Sequence, residues 1–390
     1  MISLETAQSQ LLGLVTLLPI ETRPLIEAAG RWAAADIVSR RTQPARALSA
    51  MDGYAFAFGG IGPWNVVGES AAGRPFQGTV LNGEAVRIFT GAALPSGTDT
   101  IVIQENVTRQ GHTIVFPSDA ASFCGQHVRP VGSDFRAGDQ LIRSGERLTP
   151  ARIALAASGG HDSIAVRQVP RIALIATGDE LVPAGTDAGD DLLPESNTIM
   201  LASMFSDLPC DLQIIGIVPD SLSKIVAAIQ SADADLLITM GGASVGDHDL
   251  VKPALEHCGA LLDFWKVAMR PGKPVMAGKL GKMLVIGLPG NPVSAFVTAL
   301  LFAKPAAAAL AGASAPLPVG IPMRLAAPIP ANGNRTDHLR ARLTTNGVLP
   351  VGPNDSSAMG GLAAADCLIV RVPNAQPLAI GDDVAVLLLK

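Results

Sequence analysis

Apolar positions change their spacing several times along this chain. Near the start, Leu11, Leu12, Leu14, Val15 and Leu18 recur on one helical face, and Pro24 opens a second helical run. From residue 43 to about 135 the pattern becomes short alternating runs, AVRIF, TIVIQEN and HTIVF, punctuated by Gly, Pro and Thr, which predict a small β domain. TPARIALAASGG returns to helical spacing, with Thr149 as N-cap, Pro150 at the first helical position and glycines at its end. After Pro170, four apolar runs of strand length follow: RIALIAT, DLQIIGIV, DLLITMGG and KMLVIGL. They alternate with the helical segments SNTIMLASMFSDL, capped by Ser196, SLSKIVAAIQSA, begun near Asp220, and NPVSAFVTALL. Strands alternating with helices imply a three-layer α/β unit around a parallel or mixed sheet covered on both faces. Beyond Pro316, prolines and short alternating runs ending in DDVAVLLLK predict a β-barrel-like piece.

Composition narrows the class. The chain has 390 residues, enough for several domains, with 48% apolar and only 16% charged residues. A net charge of −5 leaves no basic footprint, so nucleic acid is not an expected partner and any anionic ligand must be met by local cations. Four scattered cysteines form no CxxC pair and read as buried small side chains of a reducing compartment. The N-terminus carries an acid before its apolar run and no Ala-x-Ala processing site, so it does not read as a signal peptide. The most apolar stretch, residues 295–312, is broken by Lys304 and Pro305 and reads as a core helix, not a membrane span. A cytoplasmic protein is expected.

Ligands of open α/β sheets sit beyond the carboxyl ends of the strands. The loop TMGGASVGDHD (residues 239–249) is one such end. Gly241, Gly242 and Gly246 let backbone N–H groups close on an anion, and Ser244 serves equally as a turn cap or a phosphate contact. The loop lacks the Gly-Lys-Ser/Thr ending of a P-loop and the GxGxxG of a dinucleotide fold. Glu180, Asp220 and Asp249 close three predicted strands and form a candidate Mg²⁺ site, although each alone would pass for a solvated helix-start acid. Lys266, Arg270 and Lys273 lie in the cation-rich turn KVAMRPGKP. In strand geometry the first two share a face, and such a cluster makes sense around a polyanion. The turn GLPGNPVSAF adds Pro289, Gly290, Asn291 and Ser294 as candidate cofactor contacts. Asp52 and Thr90, in SAMDGYA and TGAALPSGTD, serve equally as turn formers or as functional groups. No Ser-His-Asp or Cys-His nucleophilic set can be assembled.

Together these motifs resemble the MoeA family of molybdopterin molybdenumtransferases, which includes the E domains of gephyrin and its plant counterpart. The resemblance spans essentially the whole chain: SAMDGYA, GESAAG, TGAALPSGTD, VRPVGSDFRAGD, ATGDEL, GGASVGDHD, VAMRPGKP, GLPGNPVSAF and, more loosely, RTDHLRARL. It implies Mg²⁺-assisted insertion of molybdate into adenylylated molybdopterin, with release of AMP. It also implies four domains: an extended helical one (1–42 with 136–167), an inserted β domain (43–135), an α/β molybdopterin-binding domain (168–311) and a C-terminal β domain (312–390). A homodimer is implied, with its site between the α/β domain of one subunit and the inserted domain of the other. Molybdopterin adenylyltransferase and apo-molybdoenzymes are the implied functional partners. The family's functional positions fall on Asp52, Thr90, Glu180, Asp220, Asp249, Lys266 and Arg270. Its molybdate pocket falls on Arg270, Lys273, Ser294, Arg340 and Ser357. Two departures are present: Arg270 stands where lysine is frequent, and Met240 where serine precedes the double glycine. The rival chemistries are adenylylation of molybdopterin by ATP, and a scaffold that has kept the fold without turnover. Neither explains both the extra domains and the retained acids and cations.

Overall fold

The computed structural model describes residues 1–187, 189–241, 250–352 and 355–389. At its centre lies a six-stranded sheet in the order Asp211–Val218, Arg171–Thr177, Leu236–Met240, Met283–Leu288, Pro274–Leu280, Leu261–Lys266. The first four strands run parallel, and each of the last two is antiparallel to its neighbour. The reason is local. Leu280 pairs with Met283 across the two residues Gly281 and Lys282, and so tight a loop can only join antiparallel strands. Period-two alternation then sorts the buried runs onto two faces. Leu174, Ile238 and Ile286 pack with Leu201, Phe205 and Val297 on one side. Ile175, Leu237 and Val285 pack with Ile225, Ile229 and Leu255 on the other.

The apolar helix does not break at Lys304–Pro305. Pro292–Thr298 continues through a π turn, Ala299–Ala303, into Lys304–Leu310. Pro305 has no N–H to give the carbonyl one turn earlier, that of Leu301. Buried Gln8, from the N-terminal helix Leu4–Leu14, donates to that carbonyl instead, at 3.0 Å. By length and composition Pro292–Leu310 could cross a membrane, but 83% of its most apolar window is buried within the protein, as a core helix requires.

The helical expectation for the rest of the first 42 residues is corrected. Ile20–Pro24 is a strand paired with Ser163–Arg167, Ile37–Val38 pairs with Gln140–Ile142, and only Leu25–Ala28 is helical between them. Leu4, Ala7 and Leu11 pack into the core of the α/β unit. Thr149 caps Pro150–Ser158 by accepting from Arg152 N–H.

The segment after residue 43 forms a second six-stranded sheet, Thr100–Ile103, Gly53–Phe56, Glu84–Ile88, Trp64–Ser70, Thr113–Val115, Thr108–Gln110. Trp64 stacks on Phe116 at 4.2 Å in its core. The C-terminal sheet runs Met269–Arg270, Thr336–Thr344, Cys367–Arg371, Asp383–Leu388, Ile321–Arg324, with Gly347–Pro350 branching from Thr336–Thr344. Its first strand is borrowed from the cation-rich turn: Met269 and Arg270 pair in parallel with Thr336 and Asp337. Lys266 closes a strand of the central sheet, so Lys266 and Arg270 belong to different sheets and the shared strand face is corrected.

Candidate functional site

The carboxyl ends of the parallel strands open into a cleft of about 700 Å³. Glu180, Asp220, Gly241, Lys273, Pro289, Gly290, Asn291, Ser294 and Ser357 all line it. They come from six separate loops, which the sheet topology gathers. Two glycines make the approach feasible. Gly241 has φ +92°, and a Cβ there would stand 2.6 Å from the Thr177 carbonyl oxygen. Gly272 has φ +91°, and a Cβ there would stand 2.4 Å from Thr298 Cγ2, so the turn carrying Lys273 lies flat on the Pro292–Thr298 helix. Any side chain at either position would push a wall of the cleft outward.

The acids crowd one side. Asp220 N–H donates to Asp179 Oδ1 at 3.0 Å. Burial, then the charges of Asp179 and Glu180, hold the Asp220 carboxyl above its ordinary range. A carboxylate so destabilised is relieved by a cation, and Mg²⁺ takes oxygen ligands of this kind. Among the described residues no three His, Cys, Asp or Glu side chains form a complete metal cluster. The third expected acid, Asp249, lies outside the described residues, as do Gly242, Ser244 and Gly246.

On the opposite side, residues 355–357 of the C-terminal sheet's loop close over the start of the Pro292–Thr298 helix. Asn291 Nδ2 donates to Ser356 Oγ at 3.1 Å, and Val293 N–H to the Ser356 carbonyl at 3.1 Å. Next to the cleft, across this contact, lies a notch of about 20 Å³ lined by Arg270, Pro271, Val293, His338, Leu339, Arg340, Asp355 and Ser356. The expected oxyanion set is thus divided: Lys273, Ser294 and Ser357 line the cleft, and Arg270 and Arg340 the adjoining notch. Arg340 is buried, donating to the Ala358 carbonyl at 2.7 Å.

Three expected positions fall elsewhere. Lys266 is exposed at its strand end and does not line the cleft. Asp52 and Thr90 belong to the inserted sheet and do not line the cleft of their own chain. They do meet each other: Asp52 Oδ1 accepts from Thr90 N–H at 2.7 Å and Thr90 Oγ1 at 2.8 Å. Those two bonds, first the backbone one and then the hydroxyl, hold the Asp52 carboxyl below its usual range, helped by the Arg87 charge. Met240, in the serine position, is buried in the core beneath the cleft.

The helical segment SNTIMLASMFSDL is expected to be capped by Ser196, in the run PESN (residues 194–197). In the fold Ser196 makes no capping bond. Buried Glu195 accepts from Thr198 N–H at 2.9 Å, and Asn197 Nδ2 donates to the Gly290 carbonyl at 2.7 Å, tying two walls together. Glu195 and Asn197 both line the cleft. A Glu and an Asn beside a cap position were the available signal.

A mixed α/β sheet whose strand ends set carboxylates against a lysine, with two arginines in the notch beside them, is the arrangement of a protein suited to an anionic ligand. Residues 2–160 match the MoeA N-terminal region (domain I and II), residues 173–309 a probable molybdopterin binding domain, and residues 322–389 the MoeA C-terminal region (domain IV). A molybdopterin molybdenumtransferase of Haemophilus influenzae is 38% identical over 322 residues, covering 80% of this chain and 78% of its own length. One from a Nostoc species is 33% identical over 381 residues, covering 93% and 87% respectively. The solved molybdopterin biosynthesis MoeA protein of Pyrococcus horikoshii OT3 superposes with a TM-score of 0.83 at 25% identity, covering 100% of both chains. The chain belongs to the MoeA family.

Proposed function

We propose that the chain inserts molybdate into adenylylated molybdopterin and releases AMP, as a transferase of molybdenum cofactor synthesis. One observation carries this reading: a single cleft gathers Glu180, Asp220, Lys273 and Ser294, with Arg270 and Arg340 in the notch beside it. The cleft suits an extended phosphoanhydride, and the cations suit a tetrahedral dianion that a nucleotide enzyme would not need. Glu180 and Asp220, joined by Asp249, would hold Mg²⁺, which when bound supplies Lewis-acid polarisation of a phosphoryl oxygen. Lys273 and Ser294 orient molybdate, and an oxygen of that dianion attacks the adenylyl phosphorus. The anhydride bond to the pterin phosphate breaks. The adenylyl group leaves as AMP carrying the former molybdate oxygen, and the vacated molybdenum valences pass to the two dithiolene sulfurs.

In the same reading the protein is a homodimer. Asp52, half-buried, and Thr90, exposed, both on the inserted sheet, reach the cleft of a second copy, which accounts for their absence from the cleft of their own chain. The four-part division at 1–42 with 136–167, 43–135, 168–311 and 312–390 belongs to this proposal too. Reconstitution of an apo-molybdoenzyme with adenylylated molybdopterin, Mg²⁺ and low molybdate tests it. The wild-type chain should restore activity, and Lys273→Ala should lose roughly 10²-fold or more, the scale of one missing electrostatic stabiliser. No restoration by the wild-type chain would sink the proposal.

A further inference from the structure

The strand Thr336–Thr344 breaks the rule that inward positions of a sheet are apolar. Its alternate residues Thr336, His338 and Arg340 are 5%, 4% and 4% exposed, and the last two face the notch with Val293. His338 is the informative one. Its Nδ1 is buried without a hydrogen-bond partner, while the Arg270 backbone stands against the ring and favours its protonated form, which leaves Nε2 for that contact. A carbonyl only accepts, so the proton is assigned to Nε2. Burial pushes the imidazole down to about 4, so the ring is neutral and Nδ1 is a bare acceptor. A bare lone pair beside two arginines would repel an oxyanion and leave its own hydrogen-bonding capacity unmet, a combination that proteins rarely keep without a ligand or water.

The notch measures about 20 Å³. That exceeds the roughly 10–15 Å³ needed for one water and falls well short of a tetrahedral oxyanion. Ser356 Oγ, which accepts from Asn291 Nδ2, retains its own hydrogen to give. We propose that His338 is a specificity residue of the oxyanion pocket: Nδ1 accepts a hydrogen bond from a single water in the notch, and that water gives its second hydrogen to the oxyanion beside Arg270 and Arg340. The water converts an acceptor into a donor, so the pocket presents only donors to a fully deprotonated dianion. This rests on the placement of molybdate given above.

Two amides separate the two nitrogens of the ring. Asn places its oxygen where Nδ1 stands and keeps the acceptor, whereas Gln reaches the Nε2 position and keeps only the link to the Arg270 carbonyl. Equilibrium dialysis of the full chain against molybdate, together with the KM for molybdate, reads the outcome. His338→Asn should stay within about threefold of wild type, and His338→Gln and His338→Phe should bind about tenfold more weakly, the scale of one lost hydrogen bond. The KM for adenylylated molybdopterin should not follow. Wild-type binding by His338→Gln with weak binding by His338→Asn would show that the ring serves only the Arg270 backbone, and would overturn the proposal. Four equal affinities would overturn it as well. A full affinity in Arg340→Ala would instead sink the placement of molybdate, so the two failures are distinguishable.

Discussion

Gln8→Met removes the amide that donates to the Leu301 carbonyl while keeping side-chain length, and its consequence can be worked from that contact. Gln8 is 8% exposed and Leu301 only 2%, so water cannot replace the lost donor on the Leu301 carbonyl. An unsatisfied buried acceptor costs about 1–3 kcal/mol, and a loss near 2 kcal/mol is expected. The outside donor is needed because Pro305 withholds the N–H that an ordinary helix would supply. Pro305→Ala returns that N–H, so Gln8→Met should cost under about 1 kcal/mol in the Pro305→Ala background, a coupling of about 1 kcal/mol or more. Urea unfolding followed by far-UV circular dichroism gives the midpoints. Hydrogen exchange across Pro292–Leu310 shows whether the loss is local to that helix. Equal losses from Gln8→Met in both backgrounds would refute the link between the proline and the glutamine.

Three further outcomes follow from the same geometry. The folded-state pKa of His338 lies below the ordinary 6.5, so the unfolded chain takes up the proton first; its contribution is complete above 6.5 and is lost as pH falls toward about 4. Wild type should therefore lose up to roughly 1.4 kcal/mol per pH unit in that window relative to His338→Gln, and parallel stability curves would contradict it. Asp220 has the opposite sense: its folded pKa is raised, so the native state holds the proton more tightly and stability falls as pH rises from the ordinary carboxylate range. Asp220→Asn should raise the melting temperature at neutral pH without Mg²⁺ and shrink the Mg²⁺-induced gain, and an undiminished gain would remove Asp220 from the cation site. Finally, Asp52→Asn and Lys273→Ala chains, each impaired alone, should regain activity when mixed and allowed to exchange subunits. Failure to complement in a verified mixed dimer would mean that Asp52 does not serve a neighbour's cleft.

The strands RIALIAT, DLQIIGIV, DLLITMGG and KMLVIGL were readable because strands of a covered parallel sheet need unbroken apolar runs. Pro274–Leu280 was not, since Pro, Gly and Lys interrupt it and only its antiparallel partners identify it as a strand. The same local ambiguity hid the cap: Glu, Ser and Asn stand together in PESN, and tertiary packing assigns the capping bond to Glu195 and the tie to the Gly290 carbonyl to Asn197. Glu180, Asp220, Lys273 and Ser294 converge because strand ends do, which alternating strands and helices already imply. That Met269 and Arg270 leave one sheet to join another is a long-range pairing, invisible in a turn read by itself. For the same reason His338 carried no signal, its meaning arising only from burial against Arg270.

In the proposed reaction, cleft and notch form one site in which the oxyanion is the nucleophile that releases AMP. Single-turnover AMP release from adenylylated molybdopterin, with Mg²⁺ and with or without molybdate, tests it most directly. AMP should appear only when molybdate is present and should carry an ¹⁸O label supplied in molybdate. Equally fast, unlabelled AMP release without molybdate would contradict the account.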